Sequence, residues 1–348
     1  MNTGERRYDI DWLRVIAIAL LLVYHIGIVF QPWGVFIGFI QNFDPIEGLW
    51  IPMSMLNVWR IPLLFFISGM GVCFSMRKRN IKMLLLERSR RILLPFIFGI
   101  TAIVPIHMLL WKAYYNQDLG YSINQGHLWF LANIFSYVLI LAPVFILIKK
   151  KKEGKFYRFV NRVYSSPVGL IMIMLVFVAE AIILSPEVYE TYSLTFHGWA
   201  LGLLSFFFGF SFIYAGSSFW QTLDTWRWVC LFMAVALFTV RLSVFDLQAP
   251  SYLKAMESNL WIFTVLGFGA RYLNRPSPAL SYLSKSAYPV YIIHMIFLYL
   301  GSYLIIPTYL PAFVKFIIVT SFTFAGCIVF YEFVIRRVKV LRLLFGLK

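Results

Sequence analysis

Asp11, Arg14 and His25 place an acid, a cation and an imidazole on the first apolar stretch of the chain. At 100° per residue, the eleven residues from Arg14 to His25 make three turns plus about 20° and about 16 Å of rise. Asp11 stands about 60° from Arg14. One helix face therefore carries a carboxylate and a guanidinium at one end and an imidazole deeper in, with apolar residues between. A neutral imidazole is the form a general base needs to take a proton from a hydroxyl. An arginine fork suits phosphate oxygens, and the acid would orient it. The plainer alternative is an Arg14 that snorkels to the interface and a His25 that hydrogen-bonds a neighbouring helix.

Other ionisable groups within apolar stretches are few: Arg60, His107, Glu180, Arg241, His294 and Glu332. Such groups are costly in lipid and usually have a task. Glu180 falls at a depth similar to Arg60 and Arg241, so an ion pair with either is expected; an acceptor site or a proton relay is the alternative. His294 follows Pro289, which is expected to break its helix, and it either bonds another helix or touches a substrate. His127 and Trp129 open the fourth apolar stretch. An aromatic belt explains Trp129 by default, as it does Trp33, Trp50, Tyr114, Tyr115, Tyr189, Tyr192 and Trp199; stacking on sugar faces is the alternative. His107 and His197 lie at stretch ends and say little. Arg88 and Arg91 are a second candidate for phosphate oxygens, against the bland reading of ordinary interfacial charge.

These side chains need a bilayer around them. Of 348 residues, 61% are hydrophobic and 13% charged, and the mean hydropathy is +0.78. A soluble domain carries about 45–50% apolar and about 25% charged residues. A span needs about 20 apolar residues, which predicts ten helices, over 12–30, 54–76, 92–111, 128–148, 168–185, 198–214, 228–245, 256–273, 287–306 and 312–335. The eighth is the least apolar. Polar loops are expected over 31–52, 77–91, 112–126, 149–167 and 246–255. Without period-2 alternation a β-barrel is excluded, so the fold class is an all-α polytopic membrane protein. With alternating spans, 26 of the 31 basic residues fall on the side of the N-terminus and 5 on the other. That asymmetry predicts cytoplasmic N- and C-termini. It also accounts for the net charge of +16 without nucleic acid, and assigns clusters such as Lys149–Lys152 to anionic lipid heads. The first stretch lacks a cleavage site and is expected to be retained. Cys73, Cys230 and Cys327 sit in apolar runs and read as small buried hydrophobes. No P-loop, no His-Glu-x-x-His and no carboxylate cluster occurs, so neither nucleotide hydrolysis nor a bound metal is expected.

Four motifs together resemble the membrane acyltransferase 3 family. Asp11-Trp12-Leu13-Arg14 followed by His25 is similar to its first-helix signature. Arg88-Ser89-Arg90-Arg91 leading to Leu94-Pro95 resembles its paired-arginine entry to the third helix. His127-Leu128-Trp129-Phe130-Leu131 resembles the opening of a later helix. Ser286-Ala287-Tyr288-Pro289-Val290-Tyr291-Ile292-Ile293-His294 resembles its segment near the C-terminus. Each is short; they stand in family order over nearly the whole chain, which reads as one transmembrane domain over 1–348. Within the family the chain looks closest to the glucan-modifying (OpgC-like) branch.

The resemblance implies transfer of an acyl group, acetyl or succinyl, from cytoplasmic acyl-CoA to a hydroxyl of an extracytoplasmic glycan or glycolipid, in a bacterial inner membrane. It implies catalytic roles for His25 and Arg14, and Asp11 joins them in the catalytic set as the group expected to orient Arg14. Arg14, Arg88 and Arg91 would hold the donor, and His127, Trp129 and His294 the acceptor, with Glu180 added to the acceptor set from its place within a span rather than from a shared motif. No permanently bound cofactor is implied. The chain stops 13 residues after Ile335, so a fused hydrolase-like domain is not expected. Two other readings compete. One is a secondary transporter or exporter with a relay through Glu180, His294 and Arg60. The other is a structural subunit, which would not need Arg14 and His25 on one face.

Overall fold

The computed structural model describes residues 6–77, 79–150 and 154–347, apart from the side chains of Lys150 and Phe156. Lys151 and Lys152 of the basic cluster above lie outside the described residues, as do Lys78 and Lys348. Every regular element among those residues is a helix: α1 Tyr8–Val29, α2 Trp50–Asn57, α3 Arg60–Met76, α4 Ile81–Arg88, α5 Leu94–Phe98, α6 Val104–Tyr114, α7 Trp129–Lys150, α8 Lys155–Tyr164, α9 Pro167–Leu184, α10 Phe196–Tyr214, α11 Ser217–Ser243, α12 Ser251–Tyr272, α13 Pro278–Ile305, α14 Ala312–Phe330 and α15 Lys339–Leu344. Nine helical stretches among the described residues are long and apolar enough to cross a bilayer.

The predicted eighth span is the exception. It folds as α12, 22 residues long, but its first half carries Lys254, Glu257, Ser258 and Asn259, each buried. Lys254 Nζ lies 3.0 Å from Glu190, Glu257 pairs with Arg241, and Asn259 Nδ2 donates to Ala255 O at 2.9 Å. A helix whose polar groups find partners inside the protein needs less apolarity than one facing lipid.

The third span also differs from the expected 92–111. Helix persists from Ile81 to Tyr114 over 34 residues, so the polar loop expected over 77–91 is largely helical. Two wide π turns, Ser89–Leu93 and Gly99–Ile103, interrupt its regularity. Each is followed by a proline, Pro95 and Pro105. A proline has no N–H and crowds the carbonyl four residues back; a wider turn relieves the crowding. The carbonyl that Pro105 leaves without its helical donor is that of Thr101, and the Tyr121 hydroxyl donates to it at 2.8 Å. Pro289, by contrast, lies inside an unbroken α13. The expected break does not occur: one missing bond does not end a long membrane helix.

The chain divides into two compact units, interleaved in sequence. The first comprises Met1–Ala17, Ser54–Leu86 and Asn133–Leu280. In it α3 packs on α10, and α12 packs on α11 and α9. The α3–α10 crossing is close because glycines face backbone. A Cβ on Gly69 would meet Phe206 O, and one on Gly209 would meet Phe66 O. Gly209→Leu is therefore expected to cost about 1–3 kcal/mol through forced separation of the helices, read as a lower melting temperature in detergent; an unchanged melting temperature would contradict the tight crossing.

The second unit comprises Ile18–Met53, Glu87–Ala132 and Ser281–Lys348. Its core gathers Ile26, Val29 and Phe30 of α1 with Leu298 and Tyr299 of α13 and Val319 of α14. The segment after α1 is not the polar loop that the sequence suggests. Gln31, Phe39, Ile40 and Asn42 are buried. Its backbone serves α1, because Asn42 N–H donates to Val29 O and Ile46 N–H to Phe30 O at 2.7 and 2.9 Å. Carbonyls at a helix end need such partners.

Candidate active site

Four of the chain's five histidines meet inside the second unit: His25 of α1, His107 of α6, His127 just before α7, and His294 of α13. The His25 and His294 rings meet end to end, with centroids 5.2 Å apart and planes 5° from parallel. His127 stands edge-on to His294 at 5.0 Å, and His107 lies 5.6 Å from His127. Tyr299 packs against His107 at 5.0 Å and against Phe39 at 5.7 Å. Phe39 in turn lies 5.9 Å from the His25 ring. His294 is fully buried; His25 and His127 are half-buried.

Hydrogen bonds assign the ring protons. His294 Nδ1 lies 2.6 Å from the Tyr291 carbonyl oxygen. A carbonyl only accepts, so Nδ1 carries the proton. In a neutral ring, His294 Nε2 is then an acceptor. It lies 2.8 Å from His25 Nδ1, which must donate. The remaining nitrogen of His25, Nε2, is the one with a lone pair. A peptide carbonyl thus fixes, through one imidazole, the tautomer of the next. The same logic applies to His127. Its Nε2 donates to Ile292 O at 3.0 Å, while the Tyr291 hydroxyl donates to the His127 carbonyl at 2.6 Å. Nδ1 of His127 is left as a buried acceptor with no hydrogen bond among the described residues.

The loop after α1 closes one side of this cluster. Tyr299 donates its hydroxyl to Gly38 O at 2.6 Å. The Tyr115 hydroxyl accepts from Gln41 N–H at 3.1 Å. Gly38 adopts φ +84°, a left-handed turn that glycine makes without strain, and Phe39 is brought onto His25 by it.

Arg14 and Asp11 lie in the first unit, on the same unbroken α1 as His25. Arg14 donates to Asp11 Oδ1 at 2.8 Å. Asp11 also accepts from Arg6 at 2.8 Å through its other oxygen, so it is held between two guanidinium groups. Arg88 and Arg91 flank Glu87, at 3.9 and 3.3 Å from its oxygens, beside the first π turn.

Several expectations need correction. Glu180 pairs with neither Arg60 nor Arg241. It lies 2.8 Å from His197 Nδ1, and His197 Nε2 donates to Tyr189 O at 2.9 Å. Arg241 instead takes Glu257 at 2.6 and 2.9 Å. Glu180 therefore sits in the first unit with His197, and His294 sits in the second, bonded to His25. Tyr189 and Tyr192 are 1% and 2% exposed and pack on His197, so neither forms an aromatic belt or meets a sugar. Trp129 is buried too, at 8%, its indole edge-on to Phe130. His107 and His197, which the sequence passes over, both have specific partners. For His107 a signal was present: it and His127 bracket the connection between the third and fourth spans, which returns both to one end of the unit. Among the described residues no three His, Cys, Asp or Glu side chains are arranged to hold a metal ion.

No curated protein sequence and no solved structure matches the chain. A family model does: that of acyltransferase 3, described as an acyltransferase domain, over residues 7–332. Those residues run from just before α1 into the end of the last span and include the whole histidine cluster, and the chain belongs to the acyltransferase 3 family, the membrane acyltransferases whose domain that model describes.

Proposed function

We propose that the protein moves an acetyl or succinyl group from acyl-CoA to a hydroxyl of a glycan or glycolipid, with His25 as general base. The observation that carries this reading is the bonded sequence Tyr291 carbonyl, His294, His25. It leaves His25 Nε2 as the basic nitrogen of a half-buried ring. A thioester is already activated, so the remaining task is to deprotonate the alcohol as it attacks. The hydroxyl proton passes to His25 Nε2 while the oxygen bonds to the thioester carbonyl carbon. The tetrahedral intermediate collapses, the C–S bond breaks, and the proton passes from Nε2 to the leaving thiolate. The products are an ester and free CoA.

His127 Nδ1, a second buried acceptor, suits a neighbouring hydroxyl of the same acceptor molecule. Two such acceptors in one cluster favour a polyol, such as a glucan, over a lone alcohol. Arg88 and Arg91 supply guanidinium groups for the CoA phosphates, and Arg14, steadied by Asp11, is a separate candidate for the same task. His294 is a positioning residue here rather than a substrate contact, and Glu180 with Trp129 falls out of the acceptor site. With α12 counted as a tenth span, the basic asymmetry of the sequence supports cytoplasmic termini.

Purified protein in liposomes, given radiolabelled acetyl-CoA and glucose oligosaccharides, should place label on the oligosaccharide with equal release of CoA thiol. Accumulation of unmodified oligosaccharide inside the vesicles, without thiol release, would instead mark a transporter. His294→Ala should lower kcat about fivefold, the worth of one hydrogen bond of ~1 kcal/mol, with the KM for donor unchanged. His294→Gln, whose amide oxygen accepts the same bond, should recover part of the loss. A KM change with constant kcat would assign His294 to binding instead.

A further inference from the structure

A second site lies in the first unit, where the function above has no role. A cavity of about 240 Å³ is walled by α8, α9 and α10 and by Ile148 at the end of α7. Val160, Val163, Met172, Ile173, Phe207 and Phe210 are among its apolar walls. The polar atoms at its edge are satisfied: Tyr164 and Ser211 share a hydrogen bond of 2.7 Å, and the Tyr214 hydroxyl donates to Ile148 O at 3.1 Å. Burial pushes the Tyr164 phenol up to about 12, so no wall is charged. The cavity opens sideways, because Met172 and Val176 of α9 are 47% and 39% exposed, on a helix apolar enough to span the membrane.

The entrance is framed by α8. Its ten residues are too few to span, and it joins two spanning helices, so it lies at a membrane surface. Lys155, Arg158 and Arg162 are exposed and fall within about 60° of one another around the helix. None is in an ion pair among the described residues. Phe159 and Val163 follow on the adjoining side, and both line the cavity. Phe159 is 60% exposed at its rim. A row of cations at the headgroup level thus borders an uncharged slot that runs into the hydrocarbon.

We infer that this slot holds one acyl chain of an anionic phospholipid whose phosphate rests on Lys155, Arg158 and Arg162. Charge complementarity selects the lipid class, since each cation near an anionic surface favours binding. A zwitterionic lipid would fill the slot without that preference. The arrangement gives α8 a fixed lipid as a third side of its packing, beside α9 and α11.

The test uses the full chain in vesicles of phosphatidylcholine doped with phosphatidylglycerol carrying a photoreactive diazirine in one acyl chain, or with phosphatidylcholine bearing the same chain. After irradiation, labelled peptides are mapped by mass spectrometry. Peptides of α8, α9 and α10 that line the slot should be labelled several-fold more by the phosphatidylglycerol probe than by the phosphatidylcholine probe. Arg158→Glu with Arg162→Glu should abolish that excess, bringing labelling by the two lipids to about the same level, while Arg158→Lys with Arg162→Lys keeps it. Val163→Trp should lower labelling by both lipids. A matched melting temperature keeps misfolding out of the comparison. Equal labelling by the two lipids, labelling spread evenly over all lipid-facing helices, or displacement by long-chain acyl-CoA but not by unlabelled phosphatidylglycerol would each overturn the inference.

Discussion

His25→Asn should abolish transfer yet leave the protein folded. The side-chain amide of asparagine can donate to His294 Nε2 as His25 Nδ1 does, but it has no basic nitrogen to take the alcohol proton. Loss of a general base costs roughly 10²–10⁴-fold in kcat. His25→Ala should lose as much activity and also about 1–3 kcal/mol of stability, because the buried acceptor on His294 then has no donor. The contrast between the two variants separates chemistry from packing. It is read as initial rates of CoA thiol release alongside melting temperatures in the same detergent. If His25→Asn kept even a tenth of the wild-type rate, the base would have to be another group.

The largest stability effect should come from the other unit. Arg241 and Glu257 are 2% and 1% exposed. Two hydrogen bonds join them, Arg241 also donates to Ser54 O at 3.2 Å, and Trp261 Nε1 donates to Glu257 at 3.3 Å. Arg241→Met leaves a carboxylate buried without its cation and should cost about 3–5 kcal/mol. The double variant, Arg241→Met with Glu257→Leu, should recover most of that, because the charge needing a partner is gone. Thermal unfolding of the four proteins of the cycle measures the coupling. Equal melting temperatures for the wild type and Arg241→Met would show that the pair does not hold α11 to α12.

Hydropathy made most of the fold legible, because lipid imposes one requirement on every spanning segment: a long run of apolar residues. It misjudged α12, whose Lys254, Glu257 and Ser258 stand on one face at helical spacing and are matched inside the protein. It also missed the helical start of the third span, since charges at Lys82, Glu87 and Arg88 look like a loop when the bilayer is the only yardstick. His25 stood out as an imidazole deep in an apolar helix. His294 as its partner did not, for the two are 269 residues apart and only the packing of α13 against α1 brings them together. Likewise nothing in the spacing of Glu180 and His197 chooses between that pairing and one with Arg60 or Arg241. Depth along a helix can be counted from sequence; azimuth between helices cannot.

The 34 residues from Ile81 to Tyr114 have a further consequence. At 1.5 Å each they reach about 50 Å, while the oily layer is about 30 Å thick. Even strongly tilted, such a rod overshoots, so some of its turns stand clear of the lipid tails like a mast. Arg88 and Arg91 stand about 10 and 15 Å along it, which puts their charges toward the end of the rod rather than at its middle.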